Sequence, residues 1–253
     1  MIIDEPRQDQ CPALRALWRE AFGDTEDFLD TFARTAYSPR RCRCVTLGEE
    51  VIGALYWFDC LYEGHPIAYL YAIATARAHR GHGVCRSLLE DTHRHLSRQG
   101  YEGAILVPGS NELFSLYERL GYRVCGHIRE FRCAPSVGSM ELRPVSAEEY
   151  ALLRRRFLPA DGVLQEGENL RFLQTMAELY AGKDCLLAAR GEGDTLYGLE
   201  LLGKEADAPH VVHALGYAKG FFRAPGKDRP FVMYHPLSDS SLPPPAYFGL
   251  AFD

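Results

Sequence analysis

The sequence predicts an α/β protein with a mixed, mostly antiparallel central sheet, followed by a second and smaller α/β lobe. Three observations carry this. Cys42 to Leu47, Val51 to Leu61 and Ile67 to Thr75 are rich in β-formers and joined by short turns, the pattern of an antiparallel meander. Helical and strand patterns then alternate as far as Cys133, which places helices against a sheet. From about Met140 the whole succession starts again.

Each element has a local reason. After a short opening strand, Pro12 begins a helix with Leu14, Leu17, Trp18 and Phe22 on one face, and Gly23 stops it. Asp24 or Thr25 caps a second helix carrying Phe28, Leu29 and Phe32. Gly48-Glu49-Glu50 and Tyr62 to Pro66 are turns between strands. A helix is expected from Val84 to about Gln99, with Val84, Leu88, Leu89 and Leu96 along its apolar stripe and Gly100 at its end. Ala104 to Val107 reads as a brief strand, Asn111 to Leu120 as a helix closed by Gly121, and Tyr122 to Cys133 as one or two further strands.

Pro135 to Ser139 reads as a linker, which gives domains at 1–133 and 140–253. In the second domain Glu141 to Pro144 resembles an opening strand, and Ser146 with Glu149 forms a capping box. A further helix is expected to carry Leu170, Leu173, Met176 and Tyr180. Cys185 to Ala189 and Leu196 to Leu201 echo Cys44 to Gly48 and Ile52 to Tyr56, while Ala214 to Tyr217 echoes Arg119 to Tyr122. Their shared order suggests an internal duplication.

Composition narrows the function. Hydrophobic residues at 47% and charged residues at 25% fit a soluble globular chain. A net charge of −6 lacks the basic excess of a general nucleic-acid binder. The start, Met1 to Pro6, has no signal-peptide pattern, and the apolar run Ile67 to Ala76 is too short to span a bilayer, so the expected location is cytoplasmic, with no membrane partner. Eight cysteines include no Cys-x-x-Cys pair, and Cys42 and Cys44 lack further ligands nearby, so neither a disulfide framework nor a metal site is expected. Arg154-Arg155-Arg156 reads as a solvated helix flank, and His95 as a hydrogen-bonded core histidine.

The chemistry is concentrated between Tyr71 and Tyr122. A strand feeds the loop Arg80-Gly81-His82-Gly83-Val84-Cys85, which opens a long helix. Glycines allow close backbone approach, and unpaired amides with a positive dipole end suit a diphosphate. Downstream stands Asn111, then Tyr117 six residues on, then Leu120-Gly121-Tyr122. Together these resemble the GNAT superfamily of N-acetyltransferases, with its Arg/Gln-x-x-Gly-x-Gly/Ala loop and its Asn and Tyr before Leu-Gly-Tyr/Phe. The resemblance covers roughly residues 1 to 133.

The resemblance implies a GNAT fold and acetyl-coenzyme A as acyl donor. It assigns Arg80, Gly81, His82, Gly83, Val84 and Cys85 to the diphosphate, and Ile73, Thr75 and Asn111 to the pantetheine arm. It makes Tyr117 the general acid. Cys85 departs from the family's Gly or Ala and places a sulfur beside a helix start. The implied reaction is N-acetylation of a primary amine, on a small molecule or a peptide, in a ternary complex; the alternative is a non-catalytic acyl-coenzyme A sensor. Glu112, His79, His82 and Tyr71 lie near enough to be considered as bases. The second lobe lacks the loop and the Asn/Tyr pair, so it is expected to be a degenerate GNAT-like lobe. Tyr247 to Asp253 is a candidate to approach the site. Acceptor identity and oligomeric state are not encoded in any motif.

Overall fold

The computed structural model describes residues 1–239 and 242–252. In chain order it contains β1 (Ile2–Asp4), α1 (Cys11–Phe22), α2 (Glu26–Thr35), β2 (Cys42–Leu47), β3 (Glu50–Tyr62), β4 (His65–Thr75), α3 (Val84–Arg98), β5 (Gly103–Leu106) and α4 (Asn111–Glu118). There follow β6 (Arg123–Cys133), β7 (Arg143–Pro144), α5 (Ala147–Phe157), β8 (Leu164–Gln165), α6 (Glu168–Leu173), β9 (Glu178–Ala181), β10 (Leu186–Glu192), β11 (Thr195–Leu202), α7 (Ala208–Ala214), β12 (Lys219–Pro225) and β13 (Arg229–Pro236). Two compact units result. The first comprises Met1–Leu106, Ser115–Tyr122 and Tyr234–Leu242; the second comprises Val107–Phe114, Arg123–Met233 and the chain from Pro243 onward.

In the first unit the strand order is β1-β2-β3-β4-β5, antiparallel except where β5 lies parallel to β4. β3 is apolar almost throughout because both of its faces are covered. Trp18 on α1 meets the Tyr56 ring at 5.0 Å, while Trp57 on the opposite face meets His95 of α3 at 5.9 Å. A side chain at Gly53 would press on Val84 at 3.0 Å, so the glycine sets how closely α3 approaches the sheet. Thr25 is the cap of α2, its side chain accepting from the Phe28 amide at 3.2 Å. The late segment Tyr234–Leu242 is stitched into this unit: the Tyr234 ring fills the space a side chain at Gly103 would need, and the Leu237 amide donates to Glu102 O at 2.9 Å.

The second unit repeats that plan. β7-β9-β10-β11 are successive antiparallel neighbours, and β12 lies parallel to β11 after the intervening α7. β1-α1-α2-β2-β3-β4-α3-β5 therefore reappears as β7-α5-α6-β9-β10-β11-α7-β12, with β8 added. β12 also pairs antiparallel with β6. A core of Leu187, Leu196, Leu201, Val211, Val212 and Phe222 lies between sheet and α7.

The order of elements recurs, but the sequence echoes are out of register with it. They equate β10 with β2 and β11 with β3, whereas strand order equates β10 with β3 and β11 with β4. Likewise Leu215-Gly216-Tyr217 ends α7, the counterpart of α3, so its true match is Gln99-Gly100-Tyr101. In both, the tyrosine amide donates five residues back, Tyr101 to Leu96 O and Tyr217 to Val212 O, at 3.1 Å each. This Gly-Tyr cap also closes α4, which is why it misled. Three other expectations change. The helix expected to reach Tyr180 stops at Leu173, where the chain tightens into turns and Thr175 Oγ1 donates to Phe172 O at 2.7 Å; Tyr180 belongs to β9. Ser146 caps α5 by accepting from the Glu149 amide, but the Glu149 carboxylate turns to Arg143 instead of completing the box. Arg154 is no solvated flank: only 1% of its side chain is exposed, against fully buried Glu200.

Candidate active site

The site begins with a defect in the sheet. Along β3 and β4 the register runs Tyr56 to Tyr71 and then resumes at Ala54 to Ala74, so Ala72 and Ile73 together oppose Leu55. This β-bulge puts Ala72 at φ 49°, a backbone state that residues with side chains rarely adopt. Ile73 stands in the bulge and Thr75 ends the strand, both half-buried. Beyond the bulge β4 pairs with β3 again as far as Thr75, while its pairing with β5 is confined to Ile67–Tyr69.

After Thr75 the chain makes a turn of 3-10 helix, Arg77–His79, and enters the glycine loop. Gly81 and Gly83 both take left-handed backbone, at φ 78° and 79°, and a side chain at either would meet nothing within 4 Å. The loop therefore faces open space. Among the described residues no hydrogen bond uses the backbone amides of Gly81 to Arg86; the first in the helix is Ser87 to Gly83 O at 3.0 Å. Six consecutive amides without a described acceptor, just before and within the first turn of a fifteen-residue helix that has no acidic residue in that turn, are an arrangement suited to an anion. Arg80 is turned back on the strand, its Nε donating to Thr75 O at 3.1 Å, so it braces the loop against β4.

Cys85 is half-buried beneath this loop. Burial pushes its thiol up to about 11, so the helix start does not produce a reactive thiolate here.

Tyr117 lies in the last turn of α4, 7% exposed, and its hydroxyl has no partner among the described hydrogen bonds. Burial, first, and then the nearby Cys85 raise its pKa well above the ordinary phenol value. A phenol held neutral this firmly is a proton donor, never a resting base. Its ring meets that of Tyr122 edge-on at 5.9 Å. Asn111 opens the same helix and is exposed, but its first turn groups with the second unit. The structure thus gathers Ile73, Thr75, Arg80, Gly81, His82, Gly83, Val84, Cys85 and Tyr117 in one unit, and leaves Asn111 in the other.

The candidate bases fare less well. Glu112 is exposed, accepting from Ser110 Oγ at 2.8 Å. His79 sits 3.7 Å from Glu50, and His82 is exposed. Tyr71 is built into an aromatic cluster with Trp18, Phe32, Phe58 and Tyr69. Next to that cluster a cavity of about 100 Å³ is lined by Leu14, Trp18, Leu29, Phe32, Ala33 and Tyr56, among others. Helical periodicity singled out most of these residues only as core. Nothing local in sequence says that a gap remains between α1 and α2.

His95 differs from expectation, and His93 on the same helix has a partner. His93 contacts Tyr122, its Nε2 lying 2.7 Å from the hydroxyl. His95 packs on Trp57 without a described side-chain hydrogen bond. Among the described residues no group of three or more His, Cys, Asp or Glu could hold a metal, and no helix is long and apolar enough to cross a membrane.

Comparison with known proteins bears on the first part of the chain. Residues 3–125 match the family model for an acetyltransferase (GNAT) domain. Over this stretch, just under half of its length, the chain is similar to GNAT acetyltransferase domains, whose cofactor is acetyl-coenzyme A. Solved structures similar to the chain include a GCN5-related N-acetyltransferase from Kribbella flavida, at 16% identity and TM-score 0.70, covering 92% of this chain and 70% of that one. Another from Anabaena variabilis gives 15% and 0.71, covering 94% and 73%, and Eis1 from Mycobacterium abscessus gives 15% and 0.68, covering 94% and 74%. At such identities the likeness is one of fold. No curated protein matches the chain.

Proposed function

We propose that the chain transfers an acetyl group to a primary amine of a small molecule or peptide, by direct attack in a ternary complex. The observation that carries this is the pairing of an open, amide-lined loop with a buried, unpartnered phenol in one unit. Bound acetyl-coenzyme A supplies an activated thioester. The amides from Gly81 to Cys85 hold its diphosphate, and the backbone at Ile73 and Thr75 lies along the pantetheine arm. The bulge offers a backbone donor to the carbonyl oxygen as negative charge grows there. Tyr117, neutral at any working pH, gives its proton to the departing thiolate. An amine with a pKa near ~10.4 must arrive or become neutral before attack. The cavity between α1 and α2, with its apolar lining, is where we place the non-reacting part of the acceptor.

We read the second unit as a degenerate copy that has kept the plan and lost the cofactor site. Tyr247, the start of the candidate C-terminal approach, is held inside that unit by Glu200; Asp253 lies outside the described residues.

The test is Tyr117→Phe in the full chain, assayed over an amine panel. Turnover should fall by about 10²-fold or more while acetyl-coenzyme A affinity stays the same. Unchanged turnover refutes the acid role. The sensor alternative is supported instead if no amine releases free coenzyme A while acetyl-coenzyme A still raises the melting temperature.

A further inference from the structure

Behind Tyr117 lies a layer of groups that the chemistry above does not use. Tyr122 is 1% exposed, and its hydroxyl meets His93 Nε2 at 2.7 Å. The His93 ring stacks on that of His235 at 4.2 Å and 15°, nearly parallel. His235 Nδ1 in turn lies 3.1 Å from Gly121 O, so that nitrogen carries the proton and donates to the carbonyl. Gly121 and Tyr122 are the two residues that close α4, and the Tyr122 amide donates back to Tyr117 O at 3.0 Å. The circuit is closed: Tyr117 touches Tyr122 by ring edge and backbone, Tyr122 touches His93, His93 stacks on His235, and His235 returns to the turn.

Electrically the layer is quiet. Burial, then the neighbouring His235 and Arg94, push the His93 pKa down to about 3, so His93 is neutral and accepts from the Tyr122 hydroxyl. The remaining titratable neighbours of Tyr122 are Tyr117 and Cys85, and both keep their protons. No charge in the layer competes for the Tyr117 proton.

Resting on the reading of Tyr117 as the acid, we propose that His93, Tyr122 and His235 are its positioning residues, a stacked imidazole–phenol support assembled from distant parts of the chain. None of the three touches substrate. Their work is to fix the ring of a residue that has no hydrogen-bond partner of its own. His235 comes from the late segment that returns to the first unit, so the GNAT-like stretch of residues 3–125 lacks part of its own support. A ring that rests on a neighbouring ring loses its aim when that neighbour shifts, and proton transfer depends steeply on distance.

The experiment is a double-mutant cycle in the full-length chain, with acetyl-coenzyme A and whichever amine gives the highest turnover. His93→Leu should lower kcat by about tenfold and leave the KM for acetyl-coenzyme A unchanged, since the error lies in aim and not in binding. His93→Gln, which still offers an acceptor to Tyr122, should restore most of that loss. In a Tyr117→Phe background His93→Leu should cost nothing more. If His93→Leu does not fold, His235→Ala at the half-buried end of the stack carries the same cycle. Full activity in these variants, or an equal loss in the Tyr117→Phe background, overturns the positioning role and leaves the acid assignment standing. If Tyr117→Phe alone is fully active, the acid assignment fails and this support falls with it.

Discussion

The two units carry the same plan up to the point where a ligand would bind, and the contrast there shows what a coenzyme A site needs. Each has a bulge three residues before the end of its fourth strand: Ala72 in β4 and Leu199 in β11. Each then passes through a short 3-10 turn to a helix. In the first unit the next residues are Arg80 and two glycines, and the helix starts with free amides. In the second the linking turn carries Glu205 and Asp207, and Pro209 removes an amide from the first turn of a helix only seven residues long. Carboxylates at a helix start repel a diphosphate as surely as amides attract one. The residue following each bulge differs in kind as well. Ile73 leaves backbone available, whereas Glu200 sends a carboxylate to Arg154 at 2.8 Å and to the hydroxyls of Tyr150 and Tyr247. One copy keeps its strand end open for a ligand; the other closes it with its own side chains.

The largest effect expected from breaking this contrast is at the closed end. Glu200→Gln leaves the Arg154 guanidinium buried without its counter-charge, which should cost about 3–5 kcal/mol. In a chain of this size that is a fall of about 10 °C in melting temperature, readable by calorimetry. Arg154→Met with Glu200→Leu should recover most of it. Acetyl-coenzyme A affinity, measured by titration, should be unchanged in either. A drop in affinity would mean the second copy takes part in cofactor binding.

A matched pair of glycines sharpens the comparison. Gly83 and Gly216 sit at φ 79° and 77°, and a side chain at either meets nothing within 4 Å. Changing each to Ala should cost roughly the same, about 1 kcal/mol of left-handed strain. Only Gly83→Ala should weaken acetyl-coenzyme A, by about tenfold, because only there does the added methyl enter the space kept for a diphosphate. Equal affinity in both variants would remove the loop from the cofactor site.

A further effect, felt only in acid, is on the pH dependence of stability. His93 is neutral in the folded chain, with its pKa pushed from 6.5 to about 3 by burial, His235 and Arg94, while the unfolded chain protonates it near the ordinary value. Below pH 6.5 the unfolded state binds the extra proton, so the native state loses up to about 1.4 kcal/mol per pH unit as pH falls toward the folded value. His93→Gln should flatten that limb. An unaltered slope would show that His93 is solvated.

The loop and Tyr117 were legible because each is written in consecutive residues whose geometry is local: glycines before a helix, a tyrosine one helical turn ahead of Leu-Gly-Tyr. The meander was legible because β3 is apolar on both faces. The Arg154–Glu200 pair was not, since forty-six positions separate the partners and an arginine triplet on a helix carries no sign of which member turns inward. His235 was invisible for the same reason. The echoes are one strand out of step, because the Gly-Tyr cap follows from helix-end geometry and recurs at the ends of α3, α4 and α7. What sequence cannot rank is which of three identical caps corresponds to which.

The return of Tyr234–Leu242 to the first unit has a consequence for biogenesis. A nascent chain that has emerged as far as Tyr122 already holds all the residues assigned to cofactor and proton transfer, yet Gly103 still waits for the Tyr234 ring, and His93 for its stacking partner. Domains commonly fold in order as they leave the ribosome. This one must wait until the segment beginning at Tyr234 has been made, so a product truncated after Tyr122 would contain every assigned residue and still lack a finished first unit.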